Sequence, residues 1–185
     1  MSRALKFLYL VHFLNVLADF ILIPIFALFV TSVNISVQYV GVLFALGYVT
    51  ASITSLFLVK VREGKHVDEY LLRLCYFLKA LGWFLLIFVQ TLPMLIFVQI
   101  IKGIGYGLGA PSFAALFSDH LNKNKRLAEW GDLVVIENVA ICIGSIFAGF
   151  VMVKFGFTAI FITMAILEFF AFFLFHYGLQ NRNHR

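Results

Sequence analysis

The sequence predicts an all-α integral membrane protein with six transmembrane helices and both termini in the cytoplasm. Three observations carry that expectation. Of the 185 residues, 63% are apolar and 12% charged, with a mean hydropathy of +1.01. A soluble domain is about 45–50% apolar and about 25% charged. The apolar residues fall into six runs of roughly 20, the length that crosses hydrocarbon as a helix. The basic residues gather in every second connection. This composition excludes an ordinary soluble enzyme, a disordered segment and a disulfide scaffold. Residues 1–185 read as one multi-pass transmembrane domain of a cell membrane, solvated by the lipid bilayer.

The first span covers about Phe7–Val30. Arg3 and Lys6 precede it, as in a signal peptide, but the apolar core of a signal is only about 7–15 residues. This run is longer and contains Asp19 and Pro24, so it reads as a retained span. Pro24 lacks an amide hydrogen and should bend the helix. The second span is about Tyr39–Val59, the third about Tyr70–Gln90 and the fourth about Pro93–Phe117. The fifth is about Leu133–Val153 and the sixth about Thr158–Tyr177, joined by the short connection Lys154–Phe157. Two internal three-helix repeats, about 7–90 and 93–177, are expected from this spacing.

Orientation follows from the basic residues. Arg3, Lys6, Lys60, Arg62, Lys65, Arg73, Lys123, Lys125, Arg126, Arg182 and Arg185 fall on one side, and only Lys154 falls on the other. Basic residues near span ends favour the cytoplasm. The net charge of +5 is therefore a mark of topology, and no nucleic-acid partner is expected. Cys75 and Cys142 sit in apolar runs, where a thiol is usually a small buried hydrophobe. No disulfide is expected.

Polar groups inside the spans are expensive and mark candidate sites. Asp19 lies near the middle of the first span, with His12 and Asn15 on the same helical face. Lys102, in the middle of the fourth span, is the expected ion-pair partner of Asp19 or, alternatively, a group that attracts an anionic substrate, with Gln99 and Tyr106 one turn to either side. Lys79 reads as snorkelling toward the cytoplasmic surface. Glu137 enters the fifth span beside Asn138, and Glu168 lies near the middle of the sixth. Buried carboxyl groups of this kind are suited to binding and releasing a proton. Substrate or coupling roles are accordingly expected among Asp19, Lys102, Glu137, Glu168, His12, Asn15, Gln99 and Tyr106. Aromatic-rich spans with an acidic group suit an amphipathic cation as solute.

The fourth span also carries Gly103, Gly105, Gly107 and Gly109, and the fifth Gly144, Ser145, Ala148 and Gly149. Small residues let helix backbones approach closely, so Gly103, Gly107, Gly144 and Gly149 are expected to pack helices. The run lacks the Gly-Lys-Ser/Thr ending of a phosphate-binding loop. No metal-ligand cluster, cofactor motif or nucleophilic arrangement is visible, so neither cofactor nor enzymatic activity is expected.

These residues together resemble the amino-terminal half of a major facilitator superfamily transporter. Gly103-Ile104-Gly105-Tyr106-Gly107, then Pro111 and Ser118-Asp119, resemble the family's fourth-span signature, and Arg126-Leu127-Ala128 its cytoplasmic continuation. Gly144-Ser145-Ile146-Phe147-Ala148-Gly149 resembles the fifth-span motif, and Phe155-Gly156-Phe157 with Phe161 the start of the sixth. The resemblance covers about Phe7–Tyr177. Gln99 stands where the family has arginine, Ser145 replaces a proline, and Lys60-Val61-Arg62-Glu63-Gly64-Lys65 keeps only the basic character of the loop after the second span. The resemblance implies secondary transport of a small solute by alternating access, and the buried carboxyl groups of Glu137 or Glu168 would supply proton coupling. It also implies a partner, either a second copy of this chain or a complementary six-helix half, because full members face two bundles across one cavity. The alternative is a non-transporting membrane subunit that assembles through its glycine-rich faces.

Overall fold

The computed structural model describes residues 3–58, 60 and 65–183. Arg62, Arg185 and most of the connection after the second span lie outside the described residues. Every regular element among those described is helical. Helix α1 (Arg3–Leu22) runs into a 3-10 turn at Ile23–Ile25 and then α2 (Phe26–Ser32). Pro24 is the middle residue of that turn, so the expected bend divides the first span where an amide donor is missing. Then come α3 (Tyr39–Leu58), α4 (Lys65–Leu85) with a 3-10 turn at Leu86–Phe88, α5 (Leu92–His120) and α6 (Arg126–Asn183).

Among the described residues, five stretches are long and apolar enough to cross a membrane: Arg3–Ser32, Tyr39–Leu58, Val67–Phe88, Leu92–His120 and Arg126–Gly178. The chain is a multi-pass membrane protein. The expectation of six separate helices is corrected here. The expected fifth and sixth spans form one helical element, α6, interrupted only at Gly156 (φ 74°, ψ −176°). The connection Lys154–Phe157 holds no proline and no polar turn cluster. One glycine, in a backbone region essentially closed to other residues, makes the whole break.

The two arms of α6 are not collinear. A straight helix would separate Glu129 from Phe175 by about 70 Å. Yet the Glu129 carbonyl accepts the Tyr9 hydroxyl at 2.6 Å, and the Phe175 ring stacks on Phe7 with centroids 6.2 Å apart. Both contacts lie at the start of α1, so the arms fold back on each other.

Two apolar clusters hold the bundle. One, at the start of α1, includes Leu8, Tyr9, Leu72, Phe117, Leu133 and Phe175. The other includes Phe26, Phe29, Trp83, Leu95, Ile160 and Phe161. Lipid tails are as apolar as leucine, so cohesion between membrane helices rests on close packing and polar contacts rather than on leaving water.

The glycines of α5 serve two neighbours. Gly103 and Gly107 face α3: a Cβ at Gly103 would lie 2.6 Å from the Gly47 carbonyl oxygen, and one at Gly107 would collide with the Ala51 carbonyl. Gly105 and Gly109 face α4, where a Cβ at Gly105 would lie 3.3 Å from the Cys75 carbonyl oxygen. Gly144 packs α6 on α1, with a Cβ there 3.1 Å from the Leu17 carbonyl oxygen. Gly149 departs from its expected packing role, since a Cβ there would meet nothing within 4 Å. Five residues turn a helix by about 140° beyond a full turn, so Gly144 and Gly149 cannot share one narrow face. Cys75 is buried, whereas Cys142 is exposed rather than buried as expected.

Pro111 lies inside α5 without ending it. Its missing amide deprives the carbonyl four residues back, that of Gly107, of a helical donor. Ser55 Oγ of α3 donates to that carbonyl at 2.9 Å. The same site thus joins a proline, a glycine contact and a compensating hydroxyl.

Candidate functional site

Between the two apolar clusters lies a layer of charged and polar side chains. His12, Asn15 and Asp19 line one face of α1, as their spacing predicts. Lys79 comes from the middle of α4, Gln99, Lys102 and Tyr106 from α5, and Glu137 and Glu168 from the two arms of α6.

The centre of the layer is a three-helix ion cluster. Lys79 Nζ lies 2.7 Å from Asp19 Oδ2 and 2.9 Å from Glu168 Oε1. It also donates to Asn15 Oδ1. The Tyr106 hydroxyl donates to the same Asp19 oxygen, and Lys79 Nζ sits 4.6 Å from the Tyr106 ring centroid. Glu168 is 0% exposed, Lys79 1% and Asp19 4%, so these charges are held away from solvent. Asp19 Oδ1 has no hydrogen-bond donor among the described residues.

This arrangement corrects two sequence expectations. Asp19 pairs with Lys79, not with Lys102, and Lys79 does not snorkel. From the start of the expected third span at Tyr70, Lys79 lies about 13 Å deep, beyond what one lysine stem can span. That depth was the available signal. Lys102 instead sits with Nζ 3.5 Å from the Trp83 ring centroid and makes one long hydrogen bond, 3.4 Å, to Gln99 Oε1. Gln99 Nε2 donates to the Leu43 carbonyl at 3.2 Å, bridging α5 to α3.

His12 and Glu137 form a second, separate pair, with Nε2 and Oε1 2.7 Å apart. The His12 ring stacks on Phe113, centroids 4.1 Å apart. The pair ties α1 to the first arm of α6. Sequence reasoning missed Glu129, which is buried and accepts the Asn122 amide at 2.7 Å, closing the turn that enters α6.

Two cavities flank the ion cluster. The first, about 70 Å³, is lined by Asp19, Phe44, Trp83, Gln99, Lys102 and Tyr106 among others. The second, about 200 Å³, is lined by His12, Asn15, Lys79, Tyr106, Trp130 and Glu137 among others. Tyr106 borders both. With both carboxyl groups ionised, two negative charges surround the single Lys79 ammonium. No group of histidine, cysteine and acidic side chains among the described residues could hold a metal.

The sequence matches the Major Facilitator Superfamily over residues 8–185. Among solved structures it is similar to the POT family transporter PepTSo, with a TM-score of 0.74 and 15% sequence identity. That match covers 97% of this chain and 38% of PepTSo. At this identity the likeness is one of fold. No curated protein matches the chain.

Proposed function

Because the chain belongs to the major facilitator superfamily, we propose that it carries a small solute across a membrane by secondary active transport, with Asp19, Lys79 and Glu168 as the coupling centre. The observation that carries this reading is the buried ion cluster itself, which spans three helices at mid-depth between two cavities. Charges inside a membrane are costly and usually mark a substrate path or proton relay. The excess of carboxylate over ammonium supports proton coupling. His12 and Glu137, beside the second cavity, serve as a contact between α1 and α6 that opens or holds as the cluster changes charge.

In this reading the two arms of α6 cross the membrane separately, so the chain makes six crossings. The ends that converge near Tyr9 face the cytoplasm, in keeping with their basic flanks. The chain spans 38% of the PepTSo chain, and a second bundle completes the path, either another copy or a complementary half. Helix α3 supports this, because Leu43 is its only buried residue. A non-transporting subunit assembled through glycine faces would have Gly149 alone of these four glycines to offer, because Gly103, Gly107 and Gly144 already pack against helices of the same chain.

The test is flux in proteoliposomes under an imposed proton gradient across a broad solute panel. Gradient-driven flux is expected from the native chain. Asp19→Asn should abolish it while leaving protein abundance intact. Normal coupled flux in that variant would remove Asp19 from the coupling centre.

A further inference from the structure

The polar chemistry facing the first cavity differs from what the sequence suggests. Asp19 is its only acidic lining residue among the described residues, but one carboxylate oxygen already receives Lys79 and Tyr106. The other is sealed from the surface. An incoming cation would find that charge spent. Lys102 is in the opposite condition. It lines the same cavity, is only partly buried, and has no ion-pair partner among the described residues. Its ammonium rests over the Trp83 ring and shares one long hydrogen bond with Gln99. A lysine ammonium has three donors, so at least two remain for a ligand.

The surrounding lining defines the rest of the ligand. Phe44, Tyr48 and Trp83 present aromatic surface, and Gly47 and Ala51 of α3 leave room beside it. Mostly apolar walls with a few converging polar groups are the pattern of a small-molecule site. We infer that the first cavity is the polar end of a site for a small organic anion: its enclosed space of about 70 Å³ seats a single carboxylate against Lys102, and the aromatic or apolar body extends out over Phe44, Trp83 and the exposed Tyr48. This names the solute class for the transport reading above and rests on it. Tyr106 lies between the bound anion and the ion cluster, touching both cavities. A negative charge at Lys102 therefore arrives beside the layer that already carries two carboxyl groups.

The experiment uses the native chain in lipid nanodiscs and fluorine NMR of three probes of one shape: para-fluorobenzoate, para-fluorobenzamide and para-fluorobenzylammonium. Empty discs supply the baseline, and a mildly acidic buffer keeps amines protonated. The acid should bind, and bind more tightly than the amide or the amine. Lys102→Gln should weaken the acid about tenfold or more, as expected for losing a charge-assisted hydrogen bond, while Lys102→Arg should retain it. The charge series in the native chain decides the matter even if a variant fails to fold. No binding of the acid, or equal binding of acid and amine, overturns the proposal, as does native affinity in a folded Lys102→Gln. Flux is scored separately. Coupled flux of cations without anion binding would sink the solute class and leave the transport reading standing. Anion binding without flux of any solute would support the site and sink the transport reading.

Discussion

Replacing Lys79 by methionine puts the assignment of the buried ion pair at risk most directly. The substitution keeps an unbranched apolar stem and removes only the ammonium. Two carboxyl groups, 4% and 0% exposed, would then lose their shared cation. Breaking a buried pair by deleting one partner costs about 3–5 kcal/mol, since the charge left behind is uncompensated. For a chain of this size each kcal/mol moves the unfolding midpoint by about 2–4 °C, so a fall of roughly 6–20 °C is expected. Lys102→Met gives the contrast. It removes a cation–π contact worth about 0.5–2 kcal/mol and one long hydrogen bond, so its midpoint should fall by only a few degrees. The triple variant Lys79→Met, Asp19→Asn, Glu168→Gln should recover most of the loss, because no unpaired charge remains. The assay is thermal unfolding in detergent, followed by the fluorescence of the two tryptophans. If Lys79→Met melts within about 2 °C of the native chain while Lys102→Met falls further, Lys79 does not neutralise this layer and the assignment is wrong.

Three further predictions concern helix packing. Gly107→Leu drives a side chain into the Ala51 backbone and should cost at least about 1–3 kcal/mol, seen as a lower midpoint and loss of a single species in size-exclusion chromatography. Gly149→Leu, with open space at its Cβ, should stay within about 0.5 kcal/mol of native. Ser55→Ala strands the Gly107 carbonyl that Pro111 already leaves without an amide, at a cost of about 1–3 kcal/mol. The same change should be nearly neutral in a Pro111→Ala background, where the helix supplies its own donor. A double-mutant cycle measures that coupling, and additive effects would refute the compensation.

Much of the architecture was legible in one dimension. Span lengths, the bend at Pro24 and the presence of charge in mid-membrane at Asp19, Lys102 and Glu168 follow from local composition, because hydrocarbon thickness sets helix length regardless of neighbours. The glycine repeat of α5 likewise announced close packing, although not that alternate glycines serve α3 and α4. The break at Gly156 was harder to read. Its flanks are as apolar and helix-compatible as the spans themselves, so the sequence suggested a connection where the structure has a single residue of positive φ.

The pairing of the charges was decided only by tertiary structure. Asp19 could reach whichever lysine the neighbouring helices turned toward it, and hydropathy says nothing about how a helix is rotated about its axis. The glycine contacts of α5 set that rotation, bringing Tyr106 to Asp19 and holding Lys102 one turn away over Trp83. Helix α4 then delivers Lys79 into the gap between Asp19 and Glu168. The sequence by itself determined that costly charges lie within the membrane. The packing of α1, α4, α5 and the second arm of α6 decided which of them cancel and which, at Lys102, still faces a cavity, because neutralisation acts over a few ångströms between residues far apart in the chain.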